Sequence, residues 1–365
     1  ILFSLFLMMH FSTFAYYLIS IRSNIILILD SLNIAVITRD YPPKIGGIST
    51  HSGALVKHLR LLGVNVTVFA GYNDSNTLMV PFNNDLNHFD IIHLQSTPYG
   101  PFISKRPLLV TAHATLDMEL PYYSWREIFL VPLALLFERI TLNNATLITA
   151  DSNLTQSNLI TRYFIKPERI TLLPSGVDVE RFSPFSHSNS KAKILICSRL
   201  EPRKNILQSL KALSELDQNL FEVLIVGTGS QSQLLETYSN SHLSNVKFIG
   251  HVPDEDLPSY FSTSDIFLST SLSEGFGLSL LQAMASGCAV VASNIPTHCD
   301  FIQNGVNGLI YSSHDELINN LNILLNDEKL LNNIGINARK RSLDYSWGKI
   351  ANMTLNLYRK LLSLQ

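Results

Sequence analysis

The chain has 365 residues, a length that predicts two domains and excludes a small stapled scaffold. Hydrophobic residues make up 46% and charged residues 15%, below the usual share of about 25%, a balance that argues for a globular chain and against disorder. Lys and Arg number 27 against 29 Asp and Glu, so bulk charge offers no hold on a polyanion and no nucleic-acid partner is expected.

Residues 1–21 carry no formal charge and are about as long as the ~20 residues of a membrane helix. The first basic residue, Arg22, follows the apolar run, so a spanning segment would leave everything downstream cytoplasmic. Residues 1–31 read either as an anchor or as upstream sequence translated ahead of a non-standard start at Leu32, and both readings stay open. The sequons at Asn65, Asn73, Asn144, Asn153 and Asn352 are chance products of an Asn-rich chain. Cys197, Cys288 and Cys299 are odd in number, lack metal-ligand spacing and point to free thiols of a reducing compartment.

From Asn33 onward, short β-branched runs alternate with amphipathic segments, the pattern of strands joined by crossover helices. In the first half the strand candidates are 34–39, 64–70, 91–94, 107–113, 146–151 and 169–174, one doubly wound domain over 33–182. The polar stretch 183–193 reads as a linker. A second series follows at 194–198, 221–227, 246–250, 265–270, 289–293 and 308–311, giving a second domain over 194–345. In the last segment, 346–365, Trp347, Ala351, Leu355, Tyr358 and Leu362 form one helical stripe, predicting a closing helix that packs across the domains or against the second. Two such sheets are expected to bind ligands at their strand C-terminal edges, around a shared cleft.

The densest motif is the loop and helix of residues 271–287. Gly275 and Gly277 allow close approach of a ligand, and the free amides at the helix start suit phosphate. Glu274 beside them reads as an acceptor for neutral hydroxyls, as on a sugar; the plainer alternative is a glycine-rich turn with a solvated Glu. In the segment 197–206, Arg199 ends a strand and Lys204 opens a helix, two cations able to neutralise a diphosphate or simply a solvated basic turn. Gly46 and Gly47 lie between a strand and a helix. His113 ends a strand, where a structural role competes with a catalytic one. Asp254, Glu255 and Asp256 precede a helix-like run and read as capping residues, not metal ligands.

The segments YPPKIGGISTH, LLPSGVDVERFSP, SRLEPRKN, FIGHVPDEDLPSYFSTSDIFLSTS and EGFGLSLLQAMASG, in that order, resemble the family 4 retaining glycosyltransferases of the GT-B fold, over nearly everything from Asn33 onward. The resemblance implies an α/β protein of two Rossmann-like domains and a retaining, metal-independent transfer from a nucleotide-diphosphate sugar to a glycan, lipid or small-molecule hydroxyl. It implies no cofactor; the free thiols and the position of Arg22 point to a cytoplasmic enzyme, with contact at the cytoplasmic face of a membrane left open. By resemblance, Arg199 and Lys204 bind the donor diphosphate, Gly46 and Gly47 line the phosphate region, and His113 contacts the transferred sugar. Glu274 holds sugar hydroxyls, with Phe276, Gly277 and Leu278 offering backbone contacts. The family pattern has a second Glu where this chain has Gln282, at the ribose, and Asn where it has Ser175. The rival readings are a nucleotide-sugar epimerase of the same fold and a binding subunit without turnover.

Overall fold

The computed structural model describes residues 32–44, 46–71, 78–79, 85–96, 101–116, 131–185 and 191–364. The leader, the sequon at Asn73 and the middle of the linker lie outside these.

In chain order the first elements are β1 (Asn33–Thr38), α1 (Gly47–Leu61), β2 (Asn65–Ala70), β3 (Leu78–Met79), β4 (Ile91–Leu94), β5 (Leu108–Ala112), α2 (Val131–Asn144), β6 (Leu147–Ala150), α3 (Asn153–Thr161) and β7 (Ile170–Leu172). There follow β8 (Ala192–Cys197), α4 (Ile206–Ser214), β9 (Phe221–Val226), α5 (Ser232–His242), β10 (Val246–Gly250), α6 (Leu257–Ser262) and β11 (Ile266–Ser269). The last are α7 (Leu278–Ala285), β12 (Ala289–Ser293), α8 (Pro296–Phe301), β13 (Leu309–Tyr311), α9 (His314–Asn326), α10 (Glu328–Ser342) and α11 (Trp347–Ser363). Each expected strand is present, most of them trimmed by a residue or more at the ends. The two-residue β3 carries no sequence pattern long enough to predict it.

The strands form a seven-stranded sheet, ordered β3-β2-β1-β4-β5-β6-β7, and a six-stranded sheet, ordered β10-β9-β8-β11-β12-β13. The pairings of β1 with β2 and β4, and of β8 with β9 and β11, are parallel. The fold is therefore α/β, with two parallel, helix-connected sheets. In the second sheet the order reverses at β8, whose neighbours β9 and β11 lie on opposite sides, so the crevice beyond the C-terminal ends of β8 and β11 is a topological switch point where such sheets bind ligands.

By contacts among the described residues, one compact unit comprises 32–111, 131–148 and 351–364, the other 112–116, 149–185 and 191–350. In the second, strand periodicity of two divides the apolar residues between two cores. Ile194, Ile196, Val223, Ile225, Ile266 and Leu268 enter one. Leu195, Val226, Phe267, Val290 and Ala292 enter the other. Such doubly covered strands explain the near-continuous apolar runs in the sequence. In α11 the stripe Trp347, Ala351, Leu355 and Tyr358 is buried, and Leu361 completes it in place of the expected Leu362. Among the described residues no helix is long and apolar enough to cross a membrane.

Candidate active site

At the end of β8 the chain turns through Pro202–Lys204 into α4, with Asn205 in the left-handed region at φ 51°, a conformation Asn tolerates better than most residues. Thr270, just past β11, pins that turn: its Oγ1 donates within reach of Asn205 O at 2.9 Å and Lys204 O at 3.2 Å, and Ser209 Oγ lies 2.8 Å away. Leu272 N donates to Arg203 O at 2.8 Å. Two loops 70 residues apart in sequence are thereby held side by side at the switch point.

Their side chains meet as an ion pair. Lys204 Nζ donates to Glu274 Oε1 at 2.5 Å and Oε2 at 2.7 Å, and Ser271 Oγ donates to Oε1 at 2.7 Å. Both charged side chains are nearly nine-tenths shielded, at 11% and 12% exposure. Burial alone would push the Glu274 carboxyl up, but the Lys204 charge and the bonds from Lys204 and Ser271 outweigh it and hold the group below its ordinary range. Burial also pulls the Lys204 ammonium below its ordinary value, against the opposing pull of Glu274. Between those two values the pair is ionised, as a buried pair must be to offset its desolvation.

The pair lines a cavity of about 170 Å³ with Ser269, Ser271, Gly277, Leu278 and His298 among its walls. Gly277 caps α7 at φ 82°, where a side chain would be strained, and with the first turn, Leu278 to Leu280, it lines the cavity. A Cβ on Gly275 would come within 3.6 Å of His113 O. Phe276 packs edge-on against Phe301, ring centroids 5.1 Å apart.

Arg199 is exposed, while Arg203, which the sequence reading passed over, lies closer, its Nη1 4.0 Å from Glu274 Oε2 and 3.4 Å from Ser273 O. Gln282 is buried on α7, one helical turn beyond Leu278. Gly46 and Gly47 begin α1 in the first unit, with open space where side chains would stand.

His113 and Asp151 each follow directly on a strand end, β5 and β6, and Asp151 N donates to Ala112 O. His113 Nδ1 consequently lies 3.5 Å from Asp151 Oδ2. Burial raises the Asp151 carboxyl above its ordinary value even though His113 and Thr155 pull it down. A carboxylate one residue past a strand, matching a histidine one residue past another, was a signal available in the sequence.

The sequence reading missed His298, whose helix α8 carries no motif. Its neighbour Thr297 donates through Oγ1 to Glu274 O at 2.8 Å. Of the acidic triplet expected to cap, Asp256 does occupy the N-cap of α6 but its side chain makes no capping hydrogen bond, and Asp254 pairs instead with Arg181 at 2.6 Å, an exposed cation within its reach. Among the three free cysteines Cys288 is buried, Cys197 half-buried and Cys299 exposed. Among the described residues no group of three His, Cys, Asp or Glu could hold a metal ion.

The family models for "Glycosyltransferase Family 4" and "Glycosyl transferases group 1" match residues 78–181 and 178–341. The D-inositol 3-phosphate glycosyltransferase of Salinispora arenicola is 25% identical, over 74% of this chain and 68% of its own. The enzyme of that name from Corynebacterium efficiens is 24% identical, over 69% and 65%. The chain thus spans about two thirds of the length of these relatives. Among solved structures, sucrose-phosphate synthase of Thermosynechococcus elongatus superposes with a TM-score of 0.73 at 20% identity, over 92% of this chain and 100% of that one. Anabaena HepE in complex with UDP-glucose does so with a TM-score of 0.71 at 20% identity, over 90% and 100%. These likenesses carry the fold, and the two adjoining family matches carry the lineage: the chain belongs to the group 1 glycosyltransferases of the GT-B fold.

Proposed function

We propose that the protein moves a sugar from a nucleotide-diphosphate sugar to a hydroxyl acceptor, with retention of anomeric configuration and no obligatory metal. The observation that carries this is the Lys204–Glu274 pair lining a cavity at the amide end of α7. An ammonium has three protons. Two point to Glu274, which leaves one for a phosphate oxygen, and the α7 amides supply further donors. Glu274 keeps lone pairs beyond those taken by Lys204 and Ser271, and these accept sugar hydroxyls.

When the sugar–phosphate bond breaks, its electron pair goes to the diphosphate. Lys204, Arg199 and the α7 amides stabilise that charge with little reorganisation, so the positive charge a metal would supply is met by fixed groups. The acceptor oxygen bonds to the anomeric carbon on the face the diphosphate leaves, and its proton passes to the departing phosphate oxygen. His113, steadied by Asp151, orients the sugar. Gly46 and Gly47 serve the phosphate region and Gln282 the ribose. The relatives' names, which include an inositol phosphate glycosyltransferase and a mannosyltransferase, agree with a hydroxyl acceptor on a polyol, glycan or glycolipid.

The test is calorimetric titration of the purified protein with a panel of nucleotide-diphosphate sugars. NMR then assigns the anomeric configuration of the product made with polyol, glycan and lipid acceptors. Saturable binding and a retained anomer are expected. An inverted anomer, or absence of binding across the panel, would falsify the reading, and conversion of the donor without acceptor would make the protein an epimerase.

A further inference from the structure

His298 is 1% exposed and lines the cavity that holds Glu274 and Lys204. Its Nδ1 lies 2.9 Å from Ser293 O. A carbonyl only accepts, so Nδ1 carries the proton and donates. Burial pulls the ring below its ordinary value and keeps it neutral, which makes Nε2 an acceptor, with Ser269 Oγ at 3.4 Å. Ser269 Oγ is also 3.4 Å from Ser271 Oγ, and Ser271 gives its own proton to Glu274 Oε1 at 2.7 Å. Ser271 spends its one proton on Glu274 and Ser269 has a single proton for either neighbour, so these contacts place the hydroxyls beside the carboxylate without forming a continuous relay.

A second set of contacts reaches the same loop through its backbone. Ser293 Oγ donates to Ser271 O at 2.5 Å, and Thr297 Oγ1 donates to Glu274 O at 2.8 Å. The segment 293–298 therefore holds the loop 271–274 from behind, and the ring of His298 ties the two ends of that segment together through its bond to Ser293.

We propose that His298 is a positioning residue: through its bond to Ser293, and with Thr297 beside it, it holds the loop 271–274, and so sets where the Glu274 carboxylate stands and how firmly the site grips the sugar of its donor. The inference rests on the donor reading given above. It makes no demand that His298 touch substrate. Thr297 anchors the backbone of Glu274, and His298 steadies Ser293, whose hydroxyl anchors the backbone of Ser271.

The experiment is a double-mutant cycle on nucleotide-sugar affinity, using the full chain, His298→Leu, Glu274→Gln and the pair, with His298→Asn as the conservative variant and far-UV circular dichroism to confirm folding. Removing one partner of a buried hydrogen bond is expected to weaken donor binding about tenfold in His298→Leu. His298→Asn, whose amide can still donate toward Ser293 O, is expected to stay within about threefold of the parent. In the Glu274→Gln background, His298→Leu is expected to add little, because residues that act through one another are not additive. Full additivity, or unchanged affinity in His298→Leu, overturns the proposal while the donor reading stands. Where His298→Leu fails to fold, Ser293→Ala, which removes the hydroxyl held on Ser271 O, replaces it in the cycle with the same expected coupling to Glu274→Gln. Failure of the parent to bind any nucleotide sugar overturns the donor reading itself.

Discussion

His93 and His298 are both shut off from solvent, and both engage neighbours through the two ring nitrogens, yet their surroundings differ in kind. His93, on β4 in the first unit, meets Tyr358 Oη of α11 at 2.7 Å and Thr111 Oγ1 of β5 at 2.8 Å. Tyr358 and Thr111 are neutral, and the contact fastens the last helix to the sheet. His298 has serine partners too, but it stands in the wall of a cavity that also holds a carboxylate and an ammonium. A buried histidine is thus no marker of a site by itself. Charge held next to unfilled space is the distinguishing feature, since a buried ion pair is costly to desolvate and offers little net stability in return.

The strongest way to break the comparison is Lys204→Ala. It leaves Glu274 without its cation, which typically costs about 3–5 kcal/mol of stability for a buried pair, and turnover should fall about 10² to 10³-fold. The pH dependence follows. In the parent, Glu274 titrates below its ordinary 4.5, so its contribution is present above that value and lost as pH falls through the lowered one. A protonated Glu274 needs no cation, and without Lys204 burial raises its carboxyl, so the stability gap between parent and Lys204→Ala should narrow as pH falls from that raised value towards the parent's lowered one. Chemical denaturation at neutral and acid pH, with transfer assays on folded variant, checks both halves. A gap constant with pH would remove the carboxylate from the explanation.

Tyr358→Phe probes the other histidine. Leaving His93 with a lost partner should cost about 1–3 kcal/mol of stability, read by denaturant titration, with donor affinity unchanged. A drop in donor affinity of tenfold at full folding would erase the distinction between the two regions.

Gln282→Glu sharpens the charged side of the comparison. Because charge-assisted hydrogen bonds exceed neutral ones by roughly 1 kcal/mol, donor binding should tighten by up to about fivefold, less the cost of burying a new carboxylate on α7. Calorimetry showing equal or weaker affinity in a folded variant would withdraw Gln282 from the ribose without touching Glu274. The smallest expected effect is that of chelation: transfer should survive EDTA, and restoration of a lost activity by Mg²⁺ or Mn²⁺ would overturn the metal-free part of the mechanism.

The unbroken apolar run of 194–197 and the β-branched richness of 34–38 determined the strands by themselves, because a strand buried on both faces has to be apolar throughout. The alternation of those runs with amphipathic helices determined parallel sheets, and glycines at 275 and 277 before an apolar helix determined where an anion could sit. Lys204 and Glu274 were legible as separate candidates, one for phosphate and one for hydroxyls. That they pair was decided only by the tertiary structure, since it depends on β8 and β11 lying next to each other although β9 and β10 intervene in the chain. The same holds for His113 with Asp151 and for His298 with the serines behind Glu274. Local pattern reports which face of an element is buried, whereas contacts between residues 20 to 70 positions apart follow from strand order and loop closure, which short-range propensity does not encode.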